Sequence, residues 1–338
     1  LSLVGSEMCI RDRDSMRLYV DDKLLIDGWG KDKSADQALD FHFEAGRTYK
    51  IRIEFVNDRR GARVIFGYSA GRENFPAAVE AARKADVAIL CMGDNEETSG
   101  ENFDRTDLNL PGRQLELVQA VYATGTPVVL VLQSGRPVTA NWENDHLPAI
   151  LEAWFPGEQG GTAIAKTLFG DAAPGGRLPI TFPRSVGQIP CHYSRRPGGG
   201  KRYVEMDWLP LYPFGYGLTY TTFAYRDMAL SRSVIDPQDT VTVSVTVTNT
   251  GKYTGDAVPQ LYVRDMFSSV VKPERQLAAF RRLTLAPGES RRVELTVGPK
   301  QLRTLGPDYV WRVEPGKFEL QLGDNAENIL LRADLTVE

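Results

Sequence analysis

Residues 87–132 read VAILCMGDNEETSGENFDRTDLNLPGRQLELVQAVYATGTPVVLVL. Two unbroken apolar runs, 87–92 and 127–132, bracket a polar loop and a segment, 111–122, in which Leu115, Val118 and Tyr122 recur at helical spacing. Runs that are apolar at every position predict strands buried on both faces. Helices between such strands predict a parallel sheet with helical layers. The pattern extends outward. Residues 76–84 read as a helix with proline in its first turn, 149–151 as a short third strand and 161–169 as a further helix.

The flanks have a different texture. Between Met16 and Tyr68 apolar residues alternate with polar ones: RLYV at 17–20, a turn at Asp21-Asp22, LLI at 24–26, Phe41 and Phe43 against His42 and Glu44, the break Ala45-Gly46, and YKIRIEF at 49–55. Period-two alternation predicts antiparallel strands with one wet face. At about 55 residues the segment is small for a core of its own, so it is expected to be part of a larger β domain. Residues 183–220, with PGGG at 197–200 and YPFGYG at 212–217, read as an irregular connection. From Phe223 the chain is β again. VTVSVTVT at 241–248 ends at Asn249-Thr250-Gly251, and strands are expected near 260–263, 291–297 and 317–322, with turns at APG 286–288 and EPG 314–316. Several short strands of this kind predict a two-sheet, immunoglobulin-like sandwich. Residues 1–13, LSLVGSEMCIRDR, match neither texture and read like translated adapter DNA, so they are expected to be a non-native leader outside the fold. The predicted organisation is a leader (1–13), a partial antiparallel β domain (14–72), an α/β/α sandwich with a mostly parallel sheet (73–193), an irregular linker (194–222) and a β-sandwich (223–338). The fold class is multidomain α/β plus all-β.

Composition narrows the function. The 338 residues carry 40 Lys+Arg and 44 Asp+Glu, a net charge of −4, with 42% hydrophobic residues. That balance argues against nucleic acid or an anionic membrane as partner, because both need a clustered basic surface. No apolar run approaches the roughly 18–20 residues of a membrane-spanning helix. Cys9, Cys91 and Cys191 form neither a disulfide framework nor a zinc pattern. The sequence leaves the compartment open, with a periplasmic or secreted setting favoured over the cytoplasm.

The loop at 93–112 is the richest in chemistry. It holds Asp94, Glu96, Glu97, Glu101, Asp104 and Asp107 against one base, Arg105. It follows a predicted parallel strand, beyond whose carboxyl end ligands bind, and it is longer than the usual strand-to-helix connection of about 2–6 residues. A crowded carboxyl can serve as a general acid; a solvated acidic loop is the plainer alternative. Counted from Asp94, the sixth residue is Ser99 and the twelfth Arg105, which fails the EF-hand pattern. Gly67-Tyr68-Ser69-Ala70-Gly71 matches G-x-S-x-G. However, the strand expected before it, 63–66, belongs to the alternating block and no oxyanion segment lies upstream, so Ser69 is read as part of a junction between domains. His42, His146 and His192 are isolated and take no role. Trp154 could stack on a sugar, although packing is the expected use of a Trp just after a buried strand.

These residues carry a resemblance. GENFDR at 100–105 with LNLPGRQ at 108–114 looks like the acid/base loop of glycoside hydrolase family three. ILEAWFPGEQGG at 150–161, GRLPITFP at 176–183 and YPFGYGLTYTTF at 212–223 agree with it, and LAPGES at 285–290 resembles a turn of the family's fibronectin-III-like domain. Residues 16–70 resemble the second half of a protective-antigen-like domain. The resemblance implies a β-glucosidase with a retaining mechanism, acting on terminal non-reducing β-glucosyl residues of glucosides and short oligosaccharides. Its nucleophile Asp would lie on an N-terminal barrel of the same polypeptide, which nothing in these residues resembles. It implies Glu101 as the acid/base, with Glu97 the alternative if the loop register differs. Asp104 and Arg105 are expected to shape the loop as an ion pair. Asn102 stands where many members have Gly. No metal or organic cofactor is implied, and the chain alone is expected to be inactive. A non-catalytic carbohydrate-binding or scaffold protein is the competing reading.

Overall fold

The computed structural model describes residues 6–11, 15–29, 37–44, 46–56, 65–70, 75–198 and 202–338. Expectations at Ala45, Arg63, Val64, Gly71, Gly199 and Gly200 lie outside them. The chain divides into two compact units, 1–84 and 85–338.

The first unit holds β1 (Ser6–Arg11), β2 (Ser15–Val20), β3 (Lys23–Asp27), β4 (Gln37–Phe41), β5 (Ile51–Val56), β6 (Ile65–Ala70) and α1 (Pro76–Arg83). The strands form two antiparallel sheets, ordered β4-β1-β6 and β3-β2-β5. Alternation decides what is buried. Met16, Leu18, Val20 and Ile26 form the core, with Phe41, Phe43, Tyr49 and Ile53 packed against them. Asp21 and Asp22 both adopt positive φ in the β2–β3 turn, a conformation that Asp tolerates and that suits a tight hairpin. One expectation is corrected here. Residues 6–11, expected outside the fold, are the middle strand of a sheet, β1 pairing with β4 and β6. Ser69 lies in β6, opposite Glu7 of the antiparallel strand β1, and not after a buried parallel strand, in line with its rejection as a nucleophile.

The second unit begins with a parallel sheet, β7 (Ala88–Gly93), β8 (Val128–Gln133) and β9 (Ala149–Glu152), ordered β7-β8-β9. Helix α2 (Gln114–Tyr122) connects the first two strands, α3 (Asn141–His146) the second and third, and α4 (Gly160–Leu168) follows. Burial on both faces, expected for every strand, holds for β8, where Val128, Leu130, Val131 and Leu132 are buried. It fails for β7, whose Ile89 is 45% exposed. The difference follows from the strand order: β7 is an edge and β8 is central.

The described residues of 183–222 are irregular apart from a 3₁₀ turn (Val186–Gln188), and an isolated bridge joins Phe182 to Tyr212. The sandwich follows, from β10 (Phe223–Leu230), β11 (Val234–Ile235), β12 (Val241–Asn249), β13 (Gly255–Ala257), β14 (Gln260–Asp265), β15 (Gln276–Phe280), β16 (Leu283–Leu285), β17 (Ser290–Val297), α5 (Pro299–Leu302), β18 (Thr304–Leu305), β19 (Trp311–Arg312), β20 (Gly316–Gly323) and β21 (Ile329–Val337). One sheet is β10-β12-β17 and the other β11-β21-β20-β14-β15. Val241, Val243, Val245 and Val247 of β12 are wholly buried against Leu261, Phe318, Leu320 and Leu335. Each such side chain contributes about 1.5–3 kcal/mol by leaving water. Among the described residues no helix is long and apolar enough to cross a membrane.

Candidate active site

The carboxyl ends of β7, β8 and β9 lie side by side, and three loops rise from them. The longest starts at Gly93. This residue has φ 139°, and a Cβ there would collide with the backbone of Gln133, so only glycine lets the chain leave the sheet at this point. Asp94 N then donates to Gln133 O at 2.9 Å. At the far end of the loop the Gln114 side chain reaches back. Its Nε2 donates to Gly93 O at 2.8 Å and its Oε1 accepts from Gly93 N at 2.7 Å. Both ends of the loop are thereby tied together.

The loop folds around Asp94, whose side chain is 2% exposed. Its Oδ1 accepts from Thr98 Oγ1 and from Arg105 Nη1, both at 3.1 Å. Its Oδ2 faces Arg136 Nε at 3.7 Å and has no hydrogen-bond partner. Asn95 Oδ1 accepts from Glu97 N at 2.9 Å and Thr98 N at 3.1 Å, an Asx turn that begins the tip. Arg105 Nη2 also donates to Asn109 O at 2.6 Å and to Asp107 Oδ1 at 3.2 Å.

Glu101 sits in the turn at the tip of this loop and is exposed. Among the described residues no hydrogen bond or ion pair reaches its carboxylate. Asn102, next to it, has φ 66°. Gly adopts that left-handed conformation freely and Asn tolerates it best among the rest, so asparagine fits this position. Glu97 is half-buried within the Asx turn. The ion pair expected between Asp104 and Arg105 is not formed: Arg105 turns to Asp94 and Asp107, and Asp104 is exposed. Successive side chains on a non-helical stretch diverge, so the guanidinium that faces Asp94 faces away from its neighbour.

Sequence reasoning missed two groups at the site. Glu152 ends β9. Burial pushes its carboxyl up to about 7, against the opposing pull of a hydrogen bond from Trp154 N, and the negative charge of Asp94 adds to the rise. Trp154 N donates to Glu152 Oε1 at 2.8 Å, and Ser134 Oγ lies 3.4 Å from the same atom. A charged residue closing an apolar strand inside ILEAWFPGE was the available clue. Arg136, on the loop after β8, lies in no motif, and its role depends on contacts with residues far away in sequence. Trp154 packs edge-on against Phe182 at 5.8 Å between ring centres. Phe155 beside it is 55% exposed. His146 stacks on Trp142 at 4.3 Å.

Similarity to known proteins agrees with this geometry. The sequence signature of the glycosyl hydrolase family 3 C-terminal domain matches residues 14–220, and that of a fibronectin type III-like domain matches 257–326. A β-xylosidase of Formosa agariphila is 45% identical over 302 residues, covering 86% of this chain and 42% of that protein. A periplasmic β-glucosidase of Salmonella typhimurium is 42% identical over 263 residues, covering 75% of this chain and 34% of that protein. The chain therefore spans less than half the length of these relatives. A solved β-glucosidase from Erythrobacter marinus superposes with a TM-score of 0.75 at 41% identity, covering 78% of this chain and 36% of that one. With a signature match over more than half of its residues, the chain belongs to glycosyl hydrolase family 3.

Proposed function

We propose that this chain supplies the acid/base of a retaining β-glycosidase whose nucleophile, an aspartate, lies on a barrel outside these residues. The observation that carries this reading is the turn at Glu101, an exposed carboxyl with no internal partner on a loop pinned at both ends beyond a parallel sheet. A retaining glycosidase works with two carboxyl groups about 5–5.5 Å apart. Glu101 protonates the departing glycosidic oxygen while the aspartate forms the glycosyl-enzyme. Glu101 then takes a proton from the water that releases the sugar. Arg105, through Asp94, shapes the loop, and Asp104 stands at its rim. The substrate class is a terminal β-glucoside or short β-linked oligosaccharide, with a β-xyloside as the alternative sugar. The site of action is periplasmic or secreted, by analogy with the Salmonella relative.

The test is a pair of substrates in a complete enzyme in which this chain follows a barrel. Glu101→Gln is expected to lower kcat/KM on an alkyl β-glucoside by about 10²–10⁴-fold. It should spare 2,4-dinitrophenyl β-glucoside in the first step, because dinitrophenolate leaves without a proton, and azide should speed the second step. Glu97→Gln should do neither. The 338-residue chain alone is expected to turn over neither substrate. Hydrolysis by the chain alone that is lost on Glu101→Gln would place both carboxyl groups within it and overturn the division of labour.

A further inference from the structure

Among the described residues, the turn that bears Glu101 is held from outside the loop by the Arg136 side chain. Arg136 Nη2 lies 3.3 Å from Thr98 O, 3.4 Å from Ser99 Oγ and 3.3 Å from Phe103 O. Two of these acceptors precede Glu101 and one follows it, so a single planar group spans both arms of the turn. The arginine is itself fixed. Its Nε faces the buried Asp94, its carbonyl accepts from Ser134 Oγ at 2.8 Å, and its neighbour Gly135 leaves no room between Ser99 Oγ and the Phe155 ring, where a Cβ would stand 2.9 and 2.7 Å away. A buried carboxylate keeps its charge only beside cations. Asp94 has Arg105 on one side and Arg136 on the other.

We infer that Arg136 is a positioning residue, whose guanidinium, anchored by Asp94, clamps the turn between Thr98 and Phe103 and sets where the Glu101 carboxyl stands above the sheet edge. The inference deepens the proposed function and rests on it. The contacts are long for charge-assisted bonds, as expected of a site that tightens when substrate binds. Arg136 meets no reacting atom. It acts on the step that needs an acid, because a misplacement of about 1 Å can cost about 10²-fold. Lysine cannot replace it, since a single ammonium cannot meet these three acceptors and face Asp94 at the same time, as Nη2 and Nε of the arginine do.

The test compares Arg136→Met, Arg136→Lys and Glu101→Gln in the complete enzyme. With an alkyl β-glucoside, Arg136→Met is expected to lower kcat/KM by about 10–100-fold. With 2,4-dinitrophenyl β-glucoside the loss should stay within about threefold, because that leaving group needs no acid. Millimolar guanidinium should return part of the loss. In the 338-residue chain, hydrogen exchange of the amides at 98–103 should speed up in Arg136→Met while that of β8 does not. If Glu101→Gln discriminates between the substrates and Arg136→Met lowers both equally or neither, the positioning role is wrong and Glu101 stands. If Glu101→Gln itself does not discriminate, the reading of Glu101 fails and this inference falls with it. Should Arg136→Met not fold, Arg136→Lys decides, and wild-type kinetics in that variant overturn the inference.

Discussion

Glu152 couples the stability of the fold to pH. Its carboxyl titrates near 7 in the folded chain against 4.5 in its ordinary state, with burial the leading cause. Between those two values the unfolded chain has lost the proton and the folded chain keeps it, so stability falls as pH rises. The contribution is full below about 4.5, is lost through the window up to about 7, and stays lost above it. It amounts to roughly 3 kcal/mol. Glu152→Gln keeps an acceptor for Trp154 N and removes the titration. The variant is expected to show a flatter pH dependence and to be more stable than the parent at pH 8. Urea unfolding at pH 4.5, 5.5, 7 and 8 measures both, and parallel curves for the two proteins would dismiss the assignment. Glu101 and Glu152 also mark what a sequence shows at this scale. Glu101 stands in a local run, GENFDR, and can be found by reading along the chain. The environment of Glu152 includes Ser134 and Asp94, which follow the ends of other strands, and no local pattern encodes it. Arg136 was hidden for the same reason.

Among the elements, those with unbroken periodicity were legible. Strand β12 alternates buried and half-buried residues over its whole length, and the helices α1, α2 and α4 stand where apolar spacing puts them. The sequence was silent where tertiary geometry interrupts the pattern. In β10 the pairing with β12 shifts between Arg226 and Ala229, and Asp227 has φ 55°. A bulge of this kind resets which face a side chain meets, so FAYRDMAL shows no clean alternation. Helix α3, six polar-rich residues NWENDH, is too short to display a period. The alternation in β12 predicts opposite outcomes at adjacent positions. Val243 is wholly buried, so Val243→Thr hides a hydroxyl at nearly constant volume and is expected to cost about 1–3 kcal/mol. Thr242 points to the other face and is only half-buried, so Thr242→Val should change stability by less than about 0.5 kcal/mol. Chemical denaturation of the two variants measures this. Equal effects would mean that the register of β12 is wrong.

At the scale of the molecule, the irregular stretch before β10 is more than a spacer, because its residues are bonded into the sandwich. Gln260 Nε2, on β14, donates to Gly215 O at 3.0 Å and to Asp324 O at 2.6 Å, while its Oε1 accepts from Tyr262 Oη at 2.6 Å. Ala326 N donates to Phe214 O at 2.9 Å, and Glu274 N to Arg195 O at 2.8 Å. Arg195 is paired with Glu327 and Glu274, and Tyr193 stacks on Phe214 at 4.2 Å. The same stretch is fastened to the α/β part: Leu178 N donates to Tyr216 O and Phe182 N to Tyr212 O, both at 2.8 Å. A chain bonded at both sides transmits unfolding from one to the other, so residues 85–338 are expected to open as one cooperative body. Gln260→Leu tests this. It strands the buried carbonyl of Gly215, the half-buried carbonyl of Asp324 and the buried Tyr262 hydroxyl, each loss costing up to about 1–3 kcal/mol. Gln260 lies within the sandwich, far in sequence from β8, yet the substitution should lower the hydrogen-exchange protection of β8 and of β12 by the same factor. A fall confined to β12 would show that the two parts open independently. The turn carrying Glu101 would then depend for its rigidity on the parallel sheet alone.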